Sequence, residues 1–107
     1  MGAYEAPALT VSDQWDGGTA TVTVSGELDA ATADTFQGHL SAVASHGPSR
    51  LVIDLAGVGF VDSAGLRAFV RLRKALPVDC PVTIRSPHRR VQQVFELAGL
   101  GTVFEFE

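Results

Sequence analysis

Cysteine is nearly missing from this sequence of 107 residues, which contains only Cys80. A single cysteine cannot form an internal disulfide, and this fits a reducing compartment. The sequence also lacks an apolar run long enough to cross a membrane and a basic-then-apolar signal at its N-terminus, so we expect a cytoplasmic protein. We interpret Cys80 as a small buried hydrophobe that begins a strand. The length is sufficient for one core but not for two, which predicts one domain.

Basic residues are scarce in the first part of the chain. Residues 1–62 hold eight acidic residues and one basic residue, Arg50, whereas residues 63–107 hold seven basic and four acidic residues. The net charge of −4 argues against nucleic acid as the main partner. Most of the basic residues fall opposite apolar positions on predicted helices, which is typical of a solvated surface.

Complete enzyme and nucleotide-binding signatures are absent as well. No Gly-Lys-Ser/Thr occurs, and Gly57-x-Gly59-x-x-Asp62 puts a carboxylate where a dinucleotide-binding turn needs its third glycine. Ser63 follows a strand as a hydrolase nucleophile would, but Val61 replaces the first glycine of Gly-x-Ser-x-Gly, and only His88 lies downstream as a base. The histidines have no metal-ligand spacing. We therefore predict no catalytic residue, metal or cofactor; an esterase or a weak nucleotide hydrolase is the enzymatic alternative.

Hydrophobic periodicity predicts the element order β-β-α-β-α-β-α-β. Strands are predicted over residues 8–15, 19–25, 51–55, 82–85 and 103–106, with a tight turn at 16–18 and a glycine-bearing bend at 56–59. The first helix is expected to start at Asp29 or Thr32, the second at Asp62 or Ser63, and the third at 86–87 with Pro87 in its first turn. Residues 1–7 are expected to be a flexible tail, and residues 8–107 a single domain.

Alternation within the strands predicts how the elements pack. Apolar residues oppose mainly polar ones in each strand, so we expect all three helices on one face of the sheet and a largely wet opposite face. Right-handed crossovers then order the strands sequentially, which predicts a mixed, mostly parallel five-stranded α/β sheet with an N-terminal antiparallel hairpin. The carboxyl ends of parallel strands meet at one edge. The side chains expected to share that edge are Glu27, Asp29, Asp62, Ser63, Ser86 and His88.

Ser63 is the residue on which the functional prediction depends. It is a lone hydroxyl next to Asp62 at the predicted start of a helix, where a side chain can cap free backbone N–H groups. From spacing alone, a helix cap without further function is the simpler interpretation. A phosphate at this position would add about −1.5 to −2 charges, which a helix N-terminus can hold. Since the edge is already acidic, the same charge would repel a partner that fits the bare surface.

Three segments of the sequence together resemble the STAS domain, and within it the anti-sigma factor antagonists. They are residues 25–33 with Gly-Glu-Leu-Asp, residues 51–66 with Asp-Ser-x-Gly-Leu, and residues 91–100, so the likeness covers about residues 8–106. The resemblance implies that an anti-sigma factor serine kinase of the GHKL ATPase fold phosphorylates Ser63 and that a metal-dependent serine phosphatase reverses this. It also implies that the unphosphorylated form binds the kinase and releases a sigma factor, with Asp29 on the contact surface. The predicted partner-binding residues are Glu27, Asp29, Asp62, Ser63, Ala64, Gly65, Arg67 and Ser86.

Two points in the resemblance leave alternatives. The STAS family has a further C-terminal helix that is not found after the last predicted strand, so either the sequence stops short of it or one end of the sheet is uncovered. A STAS module of a membrane transport system, in which Ser63 only caps a helix, is the main alternative function. A phosphorylation switch that acts on another target, such as a phosphatase or a cyclase, is a further one.

Overall fold

Eight elements follow one another in the predicted order along residues 9–107, the part of the chain that the computed structural model describes. They are β1 (Leu9–Asp16), β2 (Thr19–Leu28), α1 (Ala33–Ser45), β3 (Arg50–Val61), α2 (Ser63–Ala75), β4 (Val82–Arg85), α3 (Arg89–Leu97) and β5 (Glu105–Phe106). The predicted tail and Ala8 lie outside the described residues. Within the described part, no helix has the length and apolar character needed to cross a bilayer.

The five strands form one sheet in the order β1-β2-β3-β4-β5. β1 and β2 are antiparallel, and every later pair is parallel. The hairpin closes at the pair Asp16–Thr19 through Gly17, whose φ of +61° is readily available to glycine. The predicted mixed, mostly parallel sheet with sequential strands is therefore confirmed.

All three helices pack on the same face of the sheet, as the alternation predicted. The Phe69 ring of α2 lies at the centre of this layer, with ring centroids 5.1 Å from Phe36 of α1 and 5.0 Å from Phe95 of α3. The buried residues that these rings cover are Ala20, Val22 and Val24 of β2, Leu51, Ile53 and Leu55 of β3, and Val82 and Ile84 of β4. A single aromatic cluster thus fixes the helices relative to one another and to the sheet.

The opposite face of the sheet is less wet than predicted. Val52 and Thr83 point to that face but are only 3% and 1% exposed. They are neighbours on β3 and β4, and the same row continues to Thr21 on one side and Glu105 on the other. Both are short side chains with a neighbour on each side in the row, whereas Thr23 and Ser25 on the same face of β2 are exposed.

Two strands extend beyond their predicted ends. β2 continues to Leu28, and the bend predicted at 56–59 lies inside β3. The pairing of β2 with β3 shifts between Thr23 and Ser25 and again between Gly26 and Glu27, so β3 accommodates two extra residues as bulges. Gly57 suits this position because a Cβ atom would lie 3.1 Å from the Val24 carbonyl oxygen, which is closer than most Cβ contacts. The glycines therefore mark bulges in a continuing strand, which a bend resembles in sequence.

The third helix starts later than predicted, at Arg89, with His88 in the N-cap position. Pro87 precedes the helix because Ser86 is still bound to the sheet, where its N–H donates to the Glu107 carbonyl oxygen at 2.9 Å. Ser86 has a φ of +53°, the one positive value for a non-glycine residue in the described part of the chain. The last strand is also shorter than predicted, since residues 101–103 form turns and pairing begins at Glu105.

Replacing Ser86 by glycine is expected to stabilise the fold by about 1 kcal/mol, because glycine adopts this left-handed conformation without the Cβ strain that serine carries. Chemical denaturation of the Ser86→Gly variant measures the effect. Ser41→Gly is the matched control: Ser41 is exposed inside α1, and the change should destabilise the protein by about 0.5 kcal/mol. A Ser86→Gly variant that loses stability as Ser41→Gly does would contradict the assignment of strain to this residue.

Candidate functional site

The candidate site lies where β2 and β3 end together and α2 begins. The ladder between β3 and β4 stops at the pair Asp54–Arg85, whereas the ladder between β2 and β3 continues to Leu28–Val61. Beyond this last pair, the Asp62 N–H donates to the Leu28 carbonyl oxygen at 3.0 Å. This bond brings the loop after β2 next to the first residues of α2. We call the surface formed by Glu27, Asp29, Asp62, Ser63 and Arg67 the β2–α2 rim.

Asp62, and not Ser63, caps α2. The Asp62 carboxylate accepts hydrogen bonds from the N–H groups of Ala64 at 2.9 Å and Gly65 at 3.2 Å. Ser63 is the first residue of the helix, is exposed, and its hydroxyl forms no hydrogen bond within the described residues. The interpretation of Ser63 as only a helix cap is therefore wrong, because the neighbouring carboxylate already fills that role. The hydroxyl is left available to an approaching protein.

Gly65 allows α2 to start against the backbone of β2. It is buried, and a Cβ atom at this position would lie 2.7 Å from the Leu28 carbonyl oxygen and 2.9 Å from the Leu28 Cβ. No side chain fits at these distances without a shift of the backbone. Gly65 is thus a packing requirement that holds Ser63 at the rim, although its sequence pattern suggested only a contact residue.

Asp29 has a structural role in the loop between β2 and α1. Its carboxylate accepts hydrogen bonds from the N–H groups of Ala31 at 3.0 Å and Thr32 at 3.2 Å. The Thr32 hydroxyl in turn donates to the Glu27 carbonyl oxygen at 2.7 Å. Thr32 occupies the N-cap position of α1 without a side-chain capping bond. The Asp29 carboxylate instead accepts the hydrogen bonds of the loop N–H groups. These bonds hold an acidic side chain, half buried, beside the start of α2.

Ser86 and His88 lie away from the rim, so the prediction that all six residues share one edge is wrong for these two. β4 ends level with Thr23 of β2, five residues before Leu28, which is about 16 Å along the strand. His88 lies beside the bulge of β3, with its Nε2 atom 2.8 Å from the Ala56 carbonyl oxygen. A serine–histidine pair of the hydrolase type is therefore not formed at Ser63.

The structure has an apolar groove beside the rim that the sequence patterns did not predict. Phe60 is 46% exposed and pairs in register with Glu27, so its ring reaches the surface next to the acidic residues. The groove measures about 270 Å³ and is lined by Gly59, Phe60, Val61, Arg90, Val91 and Val94. The signal available in the sequence was the position of Phe60, which follows two glycine-marked bulges and precedes the helix start. Strand alternation no longer predicts there which side chains are buried.

Cys80 is the buried residue that the sequence predicted. It is 3% exposed and precedes β4, and its thiol lies 3.4 Å from the Pro48 carbonyl oxygen. Burial raises the pKa of the Cys80 thiol, and the nearby Arg73 partly opposes this shift. The thiol is consequently protonated at neutral pH and takes part in packing.

Comparisons with known proteins give the family and the fold of this chain. The family described as "Mlab, STAS domain" matches residues 11–105. The chain is 36% identical over 104 residues to the anti-sigma-F factor antagonist RsfB of Mycobacterium tuberculosis, which covers 97% of this chain and 84% of RsfB. The crystal structure of an anti-sigma factor antagonist from Mycobacterium paratuberculosis matches with a TM-score of 0.80 and 32% identity, over 96% of this chain and 89% of that one. The Bacillus cell fate determinant SpoIIAA in its phosphorylated form shares the fold, with a TM-score of 0.70 and 19% identity over 92% and 91% of the two chains.

Replacing Gly65 by alanine is expected to destabilise the protein by about 1–3 kcal/mol, because the added methyl group must push the start of α2 away from the Leu28 backbone. Gly38→Ala is the matched control. Gly38 lies inside α1 with nothing within 4 Å of an added Cβ, so this change should stabilise by about 1 kcal/mol. Thermal unfolding of both variants measures the difference; equal effects would contradict the close approach at Gly65.

Proposed function

Because this chain belongs to the STAS domain family and, within it, to the anti-sigma factor antagonists, we propose that it is a non-catalytic binding module switched by phosphorylation of Ser63. The unphosphorylated form binds an anti-sigma factor serine kinase of the GHKL ATPase fold and thereby releases a sigma factor. The kinase phosphorylates Ser63, which ends the interaction, and a metal-dependent serine phosphatase restores the binding form.

The observation that carries this proposal is the division of roles between Asp62 and Ser63. The carboxylate of Asp62 satisfies the first N–H groups of α2, while the Ser63 hydroxyl is exposed and has no hydrogen bond within the described residues. A kinase can therefore modify Ser63 without removing a cap or opening the core. The positive end of the helix dipole also favours the added phosphate.

The effect of the phosphate is expected at the surface and not in the fold. A phosphate adds about −1.5 to −2 charges next to Asp62 and close to Glu27 and Asp29. A partner that fits the bare rim then meets like charge and a strongly hydrated group. A difference of several kcal/mol in binding follows, and about 2.8 kcal/mol already corresponds to a hundredfold change in affinity.

Phe60 gives this surface an apolar anchor. An exposed aromatic ring beside a groove supplies the contact area that charged side chains lack, and such rings often dominate binding energy. The ring lies beside Glu27 in the register of β2 and β3, so a partner that covers Ser63 also reaches it. Phe60 is therefore a further proposed contact residue. Ser86, which lies away from the rim, is not one of the proposed contact residues.

Incubation with the cognate anti-sigma factor kinase and ATP is expected to add one phosphate to the protein, and Ser63→Ala should abolish this modification. Intact-protein mass spectrometry followed by peptide mapping measures it. Ser12→Ala, which changes an exposed serine of β1, serves as the control and should be modified as the wild type is. A phosphate mapped to another residue would refute the assignment.

Replacing Phe60 by alanine is expected to weaken binding of the unphosphorylated protein to the kinase by about tenfold or more, through loss of an aromatic anchor. Val78→Ala is the control, since Val78 is 97% exposed and lies before β4, at the opposite end of the sheet from the rim. Titration calorimetry with purified kinase compares the two. Equal affinities for the Phe60 and Val78 variants would remove the groove from the contact surface.

A further inference from the structure

Arg67 follows Ser63 by four residues on α2, and this spacing suggests a second component of the switch. We propose that Arg67 is the intramolecular partner of a phosphate on Ser63, so that phosphorylation both adds negative charge to the β2–α2 rim and withdraws its cation from a binding partner. This inference rests on the proposed phosphorylation of Ser63 and specifies how that modification changes the surface.

The helix geometry brings the two side chains together. Residues four apart lie on the same face of a helix, with their Cβ atoms about 5–6 Å apart. Side chains on a helix also lean toward its N-terminus, so the Arg67 side chain extends over the turn that begins with Ser63. Both residues are exposed, and no buried group has to move for them to meet. A phosphate oxygen and a guanidinium group at this spacing form charge-assisted hydrogen bonds.

Arg67 is also available for this contact, in contrast to its neighbours on the helix. Arg71 donates to the Gln37 side chain at 2.9 Å, and Arg73 donates to the Cys80 carbonyl oxygen at 2.9 Å. Within residues 9–107, the Arg67 guanidinium has no hydrogen bond or ion pair to another side chain. The nearest carboxylate along the chain, Asp62, is turned back onto the helix N-terminus by its two capping bonds.

The consequence for binding follows from the charges of the rim. Arg67 is the one basic residue in the first two turns of α2, the helix that the acidic Asp62 caps. In the unphosphorylated form its guanidinium, which has no side-chain partner within residues 9–107, can bind a carboxylate of the partner. In the phosphorylated form the same group is held by the chain's own phosphate. The surface then loses an attractive group in the same step in which it gains a repulsive one.

The test uses protein with phosphoserine incorporated at position 63 during synthesis, so that it does not depend on the kinase. A ³¹P NMR titration measures the midpoint of the second ionisation of the phosphate. A paired guanidinium favours the dianion, so we expect Arg67→Gln to raise this midpoint by about 0.5 pH unit relative to the parent protein. Arg67→Lys should show a smaller rise, because a lysine retains the charge but not the paired donors.

Arg71→Gln is the matched control. It removes the same charge one turn further along α2, where Arg71 bonds Gln37, and should leave the midpoint within about 0.1 pH unit of the parent value. Identical midpoints for the parent and Arg67→Gln would overturn the proposed pair, as would equal shifts for Arg67→Gln and Arg71→Gln. Since the phosphate is installed chemically, a failure of the kinase to modify Ser63 would refute the proposed function and leave this result unaffected.

Discussion

The backbone of Leu28 and the first turn of α2 are in direct contact, and the arrangement of the site depends on that contact. The Asp62 N–H bonds the Leu28 carbonyl oxygen, and Gly65 approaches the same residue so closely that only a hydrogen atom fits on its Cα. These two interactions join the end of β2 to the start of α2. With the backbone fixed on this side, Ser63 has to face outward. The exposure of the Ser63 hydroxyl thus follows from the contacts of Asp62, one residue before it, and Gly65, two residues after it, with Leu28.

The junction lies beyond the last pair of β3 with β4, which is Asp54 with Arg85. Within residues 9–107, β3 continues through its two bulges past the end of β4, and only β2 and β3 reach the rim. The α3 helix begins beside the first bulge, where His88 lies within hydrogen-bonding distance of the Ala56 carbonyl oxygen. In the described part of the chain, the surface proposed for docking consists of two strand ends and one helix start, with Phe60 beside them.

The sequence was sufficient for the architecture because its signals are periodic and redundant. Alternation in the strands and the three-to-four-residue spacing in the helices specify one apolar layer, and Phe36, Phe69 and Phe95 meet in it as the helical spacing requires. The junctions were harder to predict. A glycine such as Gly57 can mark a turn or a bulge, and only the pairing of Gly57 with Ser25 after a register shift distinguishes the two. The position of Ser86 relative to Ser63 along the strand direction also depends on the bulges in β3. Such bulges leave no periodic pattern in the sequence.

The roles of Asp62 and Ser63 show the same limit at a single site. Both residue types cap helices, and they are adjacent, so composition alone assigns the cap to either one. The structure separates them by one position: Asp62 keeps extended backbone dihedrals and accepts two N–H bonds, while Ser63 is already helical. Because Asp62 holds the first N–H groups of α2, the helix start does not depend on the Ser63 hydroxyl. Modification of Ser63 can therefore change the charge of the rim by almost two units while the core around Phe69, on the inner side of the same helix, is left as it was.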